Sequence, residues 1–260
     1  MPGYPLFLAA VYSLFGQSTL AVVLLQCLIG AWTCVLLYGL ARKLLPPPWP
    51  LFCGLSAAVY YDLATPAGWI VAECLYSFFL VLAMRALFAD KWPPARRAFL
   101  FGAGLGCVVV IRPELLPFCL FGACLLPWSF PSFRRKEALL ALAGPALIMG
   151  LWTGRNYLVM RSFIPGTTMA SNTQYAALYN AMKGSGRPVG EMIQPSVDLP
   201  ELERSRIYSA AYADFRARYG LFQVLKARLY NLAAILYPFL PAYDFTYAML
   251  LPFWLLGMAL

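Results

Sequence analysis

No Asp, Glu, Lys or Arg falls between Ser18 and Ala41, and that run accommodates the ~20 predominantly apolar residues that cross a bilayer as one helix. Similar uncharged runs extend from Leu44 to Tyr61, from Leu115 to Phe133 and from Ala138 to Gly154, and another begins at Phe245. Repetition of such runs predicts several spans rather than a single anchor. The chain is 62% hydrophobic and 12% charged, whereas a soluble domain is roughly 45–50% apolar and about 25% charged. A soluble fold of this size would lack polar surface. The expected class is therefore all-α: a polytopic integral membrane helical bundle of about 8 spans, with one large exoplasmic loop containing an amphipathic helix.

The formal charge of +9 is distributed as topology rather than as a nucleic-acid surface, and no nucleic-acid partner is expected. Arg42 and Lys43, then Lys91, Arg96 and Arg97, then Arg134, Arg135 and Lys136 occupy short loops that alternate with poorly basic ones around Asp62 to Ala72 and Arg112 to Leu115. Under the positive-inside rule the basic loops are cytoplasmic, which puts Met1 and the large loop on the exoplasmic face. A plasma membrane, the inner membrane of a bacterium, is the expected location. Met1-Pro2-Gly3-Tyr4-Pro5 has no basic residue and does not read as a secretory leader.

Three regions are expected within one membrane domain: 1–154, the first helices of the bundle; 155–220, an exoplasmic loop with an interfacial helix; and 221–260, further spans. Pro2 to Phe15 reads as a short interfacial segment. Spans are expected at about Thr19–Leu45, Trp49–Leu63, Gly68–Ala89, Ala98–Ile111, Leu115–Phe130, Glu137–Trp152 and Leu221–Leu236, with a last one from Phe245. Pro46-Pro47-Pro48 stops the first of these, because proline cannot continue a helix. In the polar region Asp198 and Glu201 have capping-box spacing. Tyr208, Tyr212, Phe215 and Tyr219 recur on one helical face, predicting a membrane-surface helix ended by Gly220.

The seven cysteines stand singly in apolar runs and are expected to act as small buried hydrophobes. The absence of histidine excludes a histidine general base. No metal-ligand set or cofactor motif is legible, and a divalent metal stays open. Gly102-x-Gly104-x-Gly106 lies inside an apolar helix with no preceding strand, so close helix packing is expected rather than dinucleotide binding. Ser171, Asn172, Thr173, Gln174, Tyr175, Tyr179 and Asn180 combine hydrogen-bonding groups with aromatic faces, as sugar sites do.

Ionisable groups at membrane depth are costly and mark sites. Asp62, Glu73, Arg112, Glu114 and Arg155 all map to exoplasmic span ends, where a shared cavity would supply carboxylates for proton transfer and guanidiniums for phosphate. Glu73 is either a first-turn acid complementing the helix dipole or a functional group. Arg112 is either paired locally with Glu114 or a phosphate ligand, and Arg155-Asn156 is either an interface anchor or a ligand contact.

Pro2-Gly3-Tyr4-Pro5 through Phe15-Gly16, then Leu25-Gln26, Leu37-Tyr38, Ala41-Arg42 and Ala72-Glu73, then Ile111-Arg112-Pro113 and Trp152-Thr153-Gly154-Arg155-Asn156-Tyr157 follow one another along the chain. In that order they resemble the GT-C glycosyltransferases of the protein mannosyltransferase and aminoarabinose transferase type. Pro165 to Asn180 and Tyr208 to Pro238 are similar to the segments that follow. The resemblance implies transfer of a sugar from a polyprenyl-phosphate-linked donor to an exoplasmic glycan, lipid or protein acceptor. It implies Glu73 as the catalytic acid at the family's fourth-helix position, near donor phosphate and acceptor, with Arg112 and Arg155 as phosphate or structural cations. Glu114, Asn156, Tyr4 and Asp62 are also expected on the substrate side, although Asp62 and Glu114 match no family position for the base. In that family the principal catalytic Asp lies in a first exoplasmic loop ahead of the Pro-Tyr-Pro stretch, and this chain begins at that stretch. A fragment, a wrongly assigned gene start or a degenerate paralogue is expected. The rival readings are a transporter or flippase of lipid-linked sugar and a non-catalytic membrane partner protein.

Overall fold

The computed structural model describes residues 2–164, 166–168, 170–184 and 189–236. Among them every regular element is helical, and no strand occurs. Two compact units divide at Gly166 and Thr167. The span expected from Phe245 lies outside the described residues.

The first unit opens with α1 (Gly3–Phe15), a helix of 13 residues, which at 1.5 Å per residue is about 20 Å long and short of a ~30 Å hydrocarbon core. Its start is pressed against α6 (Pro94–Ile111): a side chain at Gly3 would strike Ile111 and the carbonyl of Val110. α2 (Thr19–Leu44) starts where the Ser18 hydroxyl accepts from the Ala21 N–H, and ends with Arg42 and Lys43 in the last turn, where cations oppose the helix dipole. Its 26 residues, those of α6, and the 26 residues of α8 (Arg135–Met160) make three helices long and apolar enough to cross a membrane.

The other expected spans of this unit are shorter as built. α3 (Trp49–Val59) has 11 residues because Tyr60 adopts an extended conformation, φ −68° and ψ 120°. The chain then forms one turn, α4 (Tyr61–Ala64), and a 3-10 turn, Thr65–Gly68. α5 (Glu73–Leu87) begins five residues later than the expected span, because the chain from Trp69 to Ala72 is not helical. Arg112 and Pro113 break α6 from a second 3-10 turn, Pro113–Leu115, and α7 (Leu116–Ser129). α8 runs past its expected end at Trp152 to Met160. At its start the Glu137 carboxylate accepts the Arg134 N–H at 2.8 Å, capping the first turn from within the helix.

Packing in this unit depends on missing side chains. A Cβ on Gly102 would run into the Ala141 backbone, and one on Gly144 into the Gly102 backbone, while Gly106 faces Gly144 and Ile148. The expectation of close helix packing through Gly102 and Gly106 therefore holds, with α8 as the partner. Gly104 meets Ala83 of α5 in the same way. Around these contacts lies a core of Leu87, Phe101, Leu105, Val108, Val109 and Leu126. The cysteines divide: Cys74 and Cys119 are buried, whereas Cys27, Cys53 and Cys124 are exposed on their helices, which corrects the uniform burial expected. A helix that faces lipid needs no core on that side, so apolar character does not report burial there.

The second unit is built from α9 (Ala170–Gly184) and α10 (Glu201–Leu236), so the region expected as a polar loop contains a second helix. The aromatic face of α10 does not lie open as a membrane-surface face. Phe215 is 5% exposed and packs on Tyr175, Tyr179 and Tyr219, because α9 supplies a matching aromatic stripe. Burial of Tyr175 and Tyr179, whose hydroxyls bond Ile193 N–H and the Gly190 carbonyl, also removes their ring faces from the sugar-binding role. The Asp198–Glu201 box does not form. α10 starts on the Pro200 carbonyl, which accepts from Glu203 and Arg204, and Glu201 takes the Thr168 hydroxyl instead. The predicted break at Gly220 is present, with φ 73° and ψ 161°, a region open to glycine almost alone. Beyond it the helix continues, and Arg228 reaches back across the kink to the Tyr212 hydroxyl at 2.7 Å.

Candidate functional site

Three helices of the first unit bring the informative residues to one end. α5 starts there with Glu73, α6 ends there with Ile111, and α1 starts there beside Ile111. Arg112 leaves the helical conformation, φ −131° and ψ 89°, because Pro113 disfavours an α-helical residue before it. Its guanidinium consequently projects across to α5. One terminal nitrogen, Nη2, pairs with Glu73 Oε1, and the other, Nη1, donates to Glu114 Oε1 at 2.8 Å. The ring of Tyr76, one turn along α5, lies 5.6 Å from the guanidinium carbon, within the range of a cation–π contact.

This triad carries two carboxylates and one guanidinium. Arg112 Nε is buried and has no hydrogen-bond partner, so the cation keeps a donor unsatisfied despite its two acids. Glu73 uses only Oε1 among the described residues. Glu114, on the exposed 3-10 turn, is the more accessible acid, at 57% side-chain exposure against 33% for Glu73. Burial pushes the Glu114 carboxyl upward, but the hydrogen bond and charge of Arg112, with a backbone hydrogen bond, outweigh it and hold the group below its ordinary value.

Glu73 is placed by a residue for which the sequence reading assigned no role. Gln26, in the middle of α2, is 1% exposed. Its amide nitrogen donates to the carbonyls of Pro66, Ala67 and Trp69, and its oxygen accepts the Tyr4 hydroxyl at 2.7 Å. The Cys74 thiol donates to the Gln26 main-chain carbonyl at 3.1 Å. One amide thus ties α1, α2 and the turn that delivers Glu73. The available signal was a single carboxamide in an uncharged run, since a polar side chain among apolar neighbours must find partners. Tyr4, expected on the substrate side, is committed to this network.

The other expected site residues stand apart from the triad. Asp62 is exposed and accepts the Tyr60 hydroxyl at 2.8 Å. Arg155 and Asn156 lie within the last turns of α8 rather than in a loop after it. Arg155 is exposed, donates to Asn156 Oδ1 at 3.1 Å and stacks 5.1 Å from the Trp152 ring. Asn156 is buried and donates to the Ile164 carbonyl, as Trp152 donates to that of Gly166. These bonds fold the chain after α8 back on itself, which accounts for the added helical turns. They bring Gly166 beside Pro113, to which a Cβ there would be 3.9 Å, so the Trp152 to Asn156 segment supports the rim of the Arg112 turn.

Among the described residues no three His, Cys, Asp or Glu side chains gather to hold a metal ion. Comparison with protein-family models, curated proteins and solved structures finds no match.

Proposed function

We propose that this chain is a membrane glycosyltransferase of the GT-C type, or a part of one, transferring a sugar from a polyprenyl-phosphate-linked donor to an exoplasmic acceptor. The observation that supports it most is the Glu73–Arg112–Glu114 triad at one end of a unit whose helices include three long and apolar enough to cross a membrane. In this reading the protein is polytopic in a bacterial inner membrane, and the triad end is exoplasmic, opposite the basic loops.

The chemistry follows from the free atoms. Glu73 Oε2 takes the proton of an acceptor hydroxyl as that oxygen bonds to the anomeric carbon. The bond from that carbon to the carrier phosphate breaks, and its electron pair leaves on the phosphate oxygen. Arg112 stabilises the departing phosphate. Because Arg112 already holds Glu114, the phosphate displaces that acid, which acts as an internal placeholder on the exposed turn. The acceptor is a glycan, lipid or protein hydroxyl.

The full chain in proteoliposomes, supplied with a labelled polyprenyl-phosphate sugar and membrane-extract acceptors, should form labelled product. Glu73→Gln should abolish transfer while leaving expression intact, and Arg112→Ala should do the same. Glu114→Gln should retain transfer. Unchanged turnover in both of the first two variants would remove these residues from the site. Flipping of the labelled lipid with no product would instead support a transporter.

A further inference from the structure

At the other end of the first unit an apolar cleft of about 650 Å³ runs along the seam of α5 and α6, which touch there at Ala83 and Gly104. Its walls are helical stripes: Phe79, Leu82, Ala83 and Ala86 from α5, and Leu100, Ala103, Gly104 and Cys107 from α6. From Phe79 to Ala86 the cleft follows seven residue steps of α5, about 10 Å at 1.5 Å per step. That is about a third of a ~30 Å hydrocarbon core, within the depth of one leaflet.

The mouth is cationic. Lys43, Arg85 and Lys91 line it against a single acid, Asp90. Lys43 is already committed, to Asp90 at 3.1 Å and to the Phe88 carbonyl. Buried Arg97 likewise donates to the Leu87 carbonyl at 2.7 Å and closes the end of α5. Arg85 is different. It is half-buried, its guanidinium lies over Gly39 of α2 where no side chain stands, and it makes no hydrogen bond or ion pair among the described residues. Exposed Lys91 is also unpaired there. Trp92 stands at the rim, where indoles favour the membrane–water boundary.

We propose that this cleft is a binding site for one anionic phospholipid, with an acyl chain along the α5–α6 seam and the headgroup phosphate on Arg85 and Lys91. A half-buried guanidinium without a counter-ion is costly beside hydrocarbon, and a phosphate diester supplies the missing acceptors. An apolar groove that leads to a cationic mouth fits an acyl chain joined to a phosphate and not a soluble anion. This site is separate from the triad, and its test does not depend on glycosyl transfer.

The purified full chain, in detergent, is titrated with phosphatidylglycerol and with phosphatidylcholine of the same acyl chains, and bound lipid is counted by native mass spectrometry. Phosphatidylglycerol should occupy one site under activation that strips phosphatidylcholine. Arg85→Gln should weaken it at least fivefold, Ala103→Phe should exclude it by filling the cleft, and Lys136→Gln, at an exposed cation outside the cleft, should change nothing. A chain-brominated phosphatidylglycerol should quench the fluorescence lost in Trp92→Phe, which decides the matter even where Arg85→Gln fails to fold. Equal retention of the two lipids, retention unaffected by both cleft variants, no quenching of Trp92, or equal binding of sn-glycerol 3-phosphate alone would each overturn the proposal.

Discussion

Arg112, where the chain leaves α6, holds Glu73 at the start of α5 and Glu114 two residues further along its own turn. A cation shared by two acids is harder to remove than either acid. Arg112→Gln leaves both carboxylates facing each other, whereas Glu114→Gln leaves a one-to-one pair. Both members of the Glu73 pair are about one-third exposed, at 34% and 33%, so water screens their attraction. A double-mutant cycle between Glu73→Gln and Arg112→Gln should give a coupling of about 0.5–1 kcal/mol in thermal unfolding. Additive effects would mean that the pair does not hold α5 to α6.

The acid side of the stability profile should report two carboxylates. Glu114 is held low chiefly by Arg112 against the opposing effect of burial, and Asp90 is held low by the hydrogen bond from Lys43. For each, the folded value lies below the unfolded one, about 4.3 for Glu and about 3.9 for Asp. Their stabilisation is therefore complete above the unfolded value and is lost as pH falls through the folded value. Melting temperature in detergent should drop below about pH 4, and the drop should flatten in the combined Glu114→Gln and Asp90→Asn protein. An unchanged acid limb in that protein would assign the loss to other groups.

The triad was half legible in the sequence. Pro113 marks the end of α6, so that span end was predictable, and the local Arg112–Glu114 pair followed from adjacency, whereas α5 was expected from Gly68 and starts only at Glu73. What periodicity could not supply was the rotation that aims Arg112 at Glu73 rather than at Asp62. That depends on α1, α2 and the Thr65–Gly68 turn meeting at Gln26, a tertiary fact. Helix ends failed for the same reason. α8 continues beyond Gly154 because Trp152 and Asn156 find carbonyl partners in the chain that follows. α3 stops at Tyr60 although Trp49–Leu63 is apolar throughout but for Asp62 and Ser56. Hydropathy measures preference for lipid, not helical continuity.

Glycine positions separate packing from flexibility. Gly102 stands against the Ala141 backbone, which has no flexible end to move aside. Gly102→Leu should separate α6 from α8 and destabilise the first unit by about 1–3 kcal/mol or prevent folding. Gly150, exposed in the middle of α8 with nothing within 4 Å of an added Cβ, is the control. Gly150→Ala should stabilise by about 0.5–1 kcal/mol through helix propensity. Thermal unfolding of the two variants tests this, and equal effects would contradict the α6–α8 contact.

Gln26 is the residue whose substitution should reach Glu73 without touching it. Gln26→Leu keeps bulk in α2 but strips partners from the Tyr4 hydroxyl and from the carbonyls of Pro66, Ala67 and Trp69. Leaving buried polar groups unpaired costs about 1–3 kcal/mol. Gln26→Glu should be worse, because its carboxylate repels those three carbonyls and places a charge at a site 1% exposed. Tyr4→Phe removes one hydrogen bond and should cost about 1 kcal/mol. Hydrogen exchange followed by mass spectrometry should show protection falling from Trp69 through the first turn of α5 in Gln26→Leu, while α7 is unchanged. Retained protection at that first turn would mean that Glu73 is positioned by Arg112 alone.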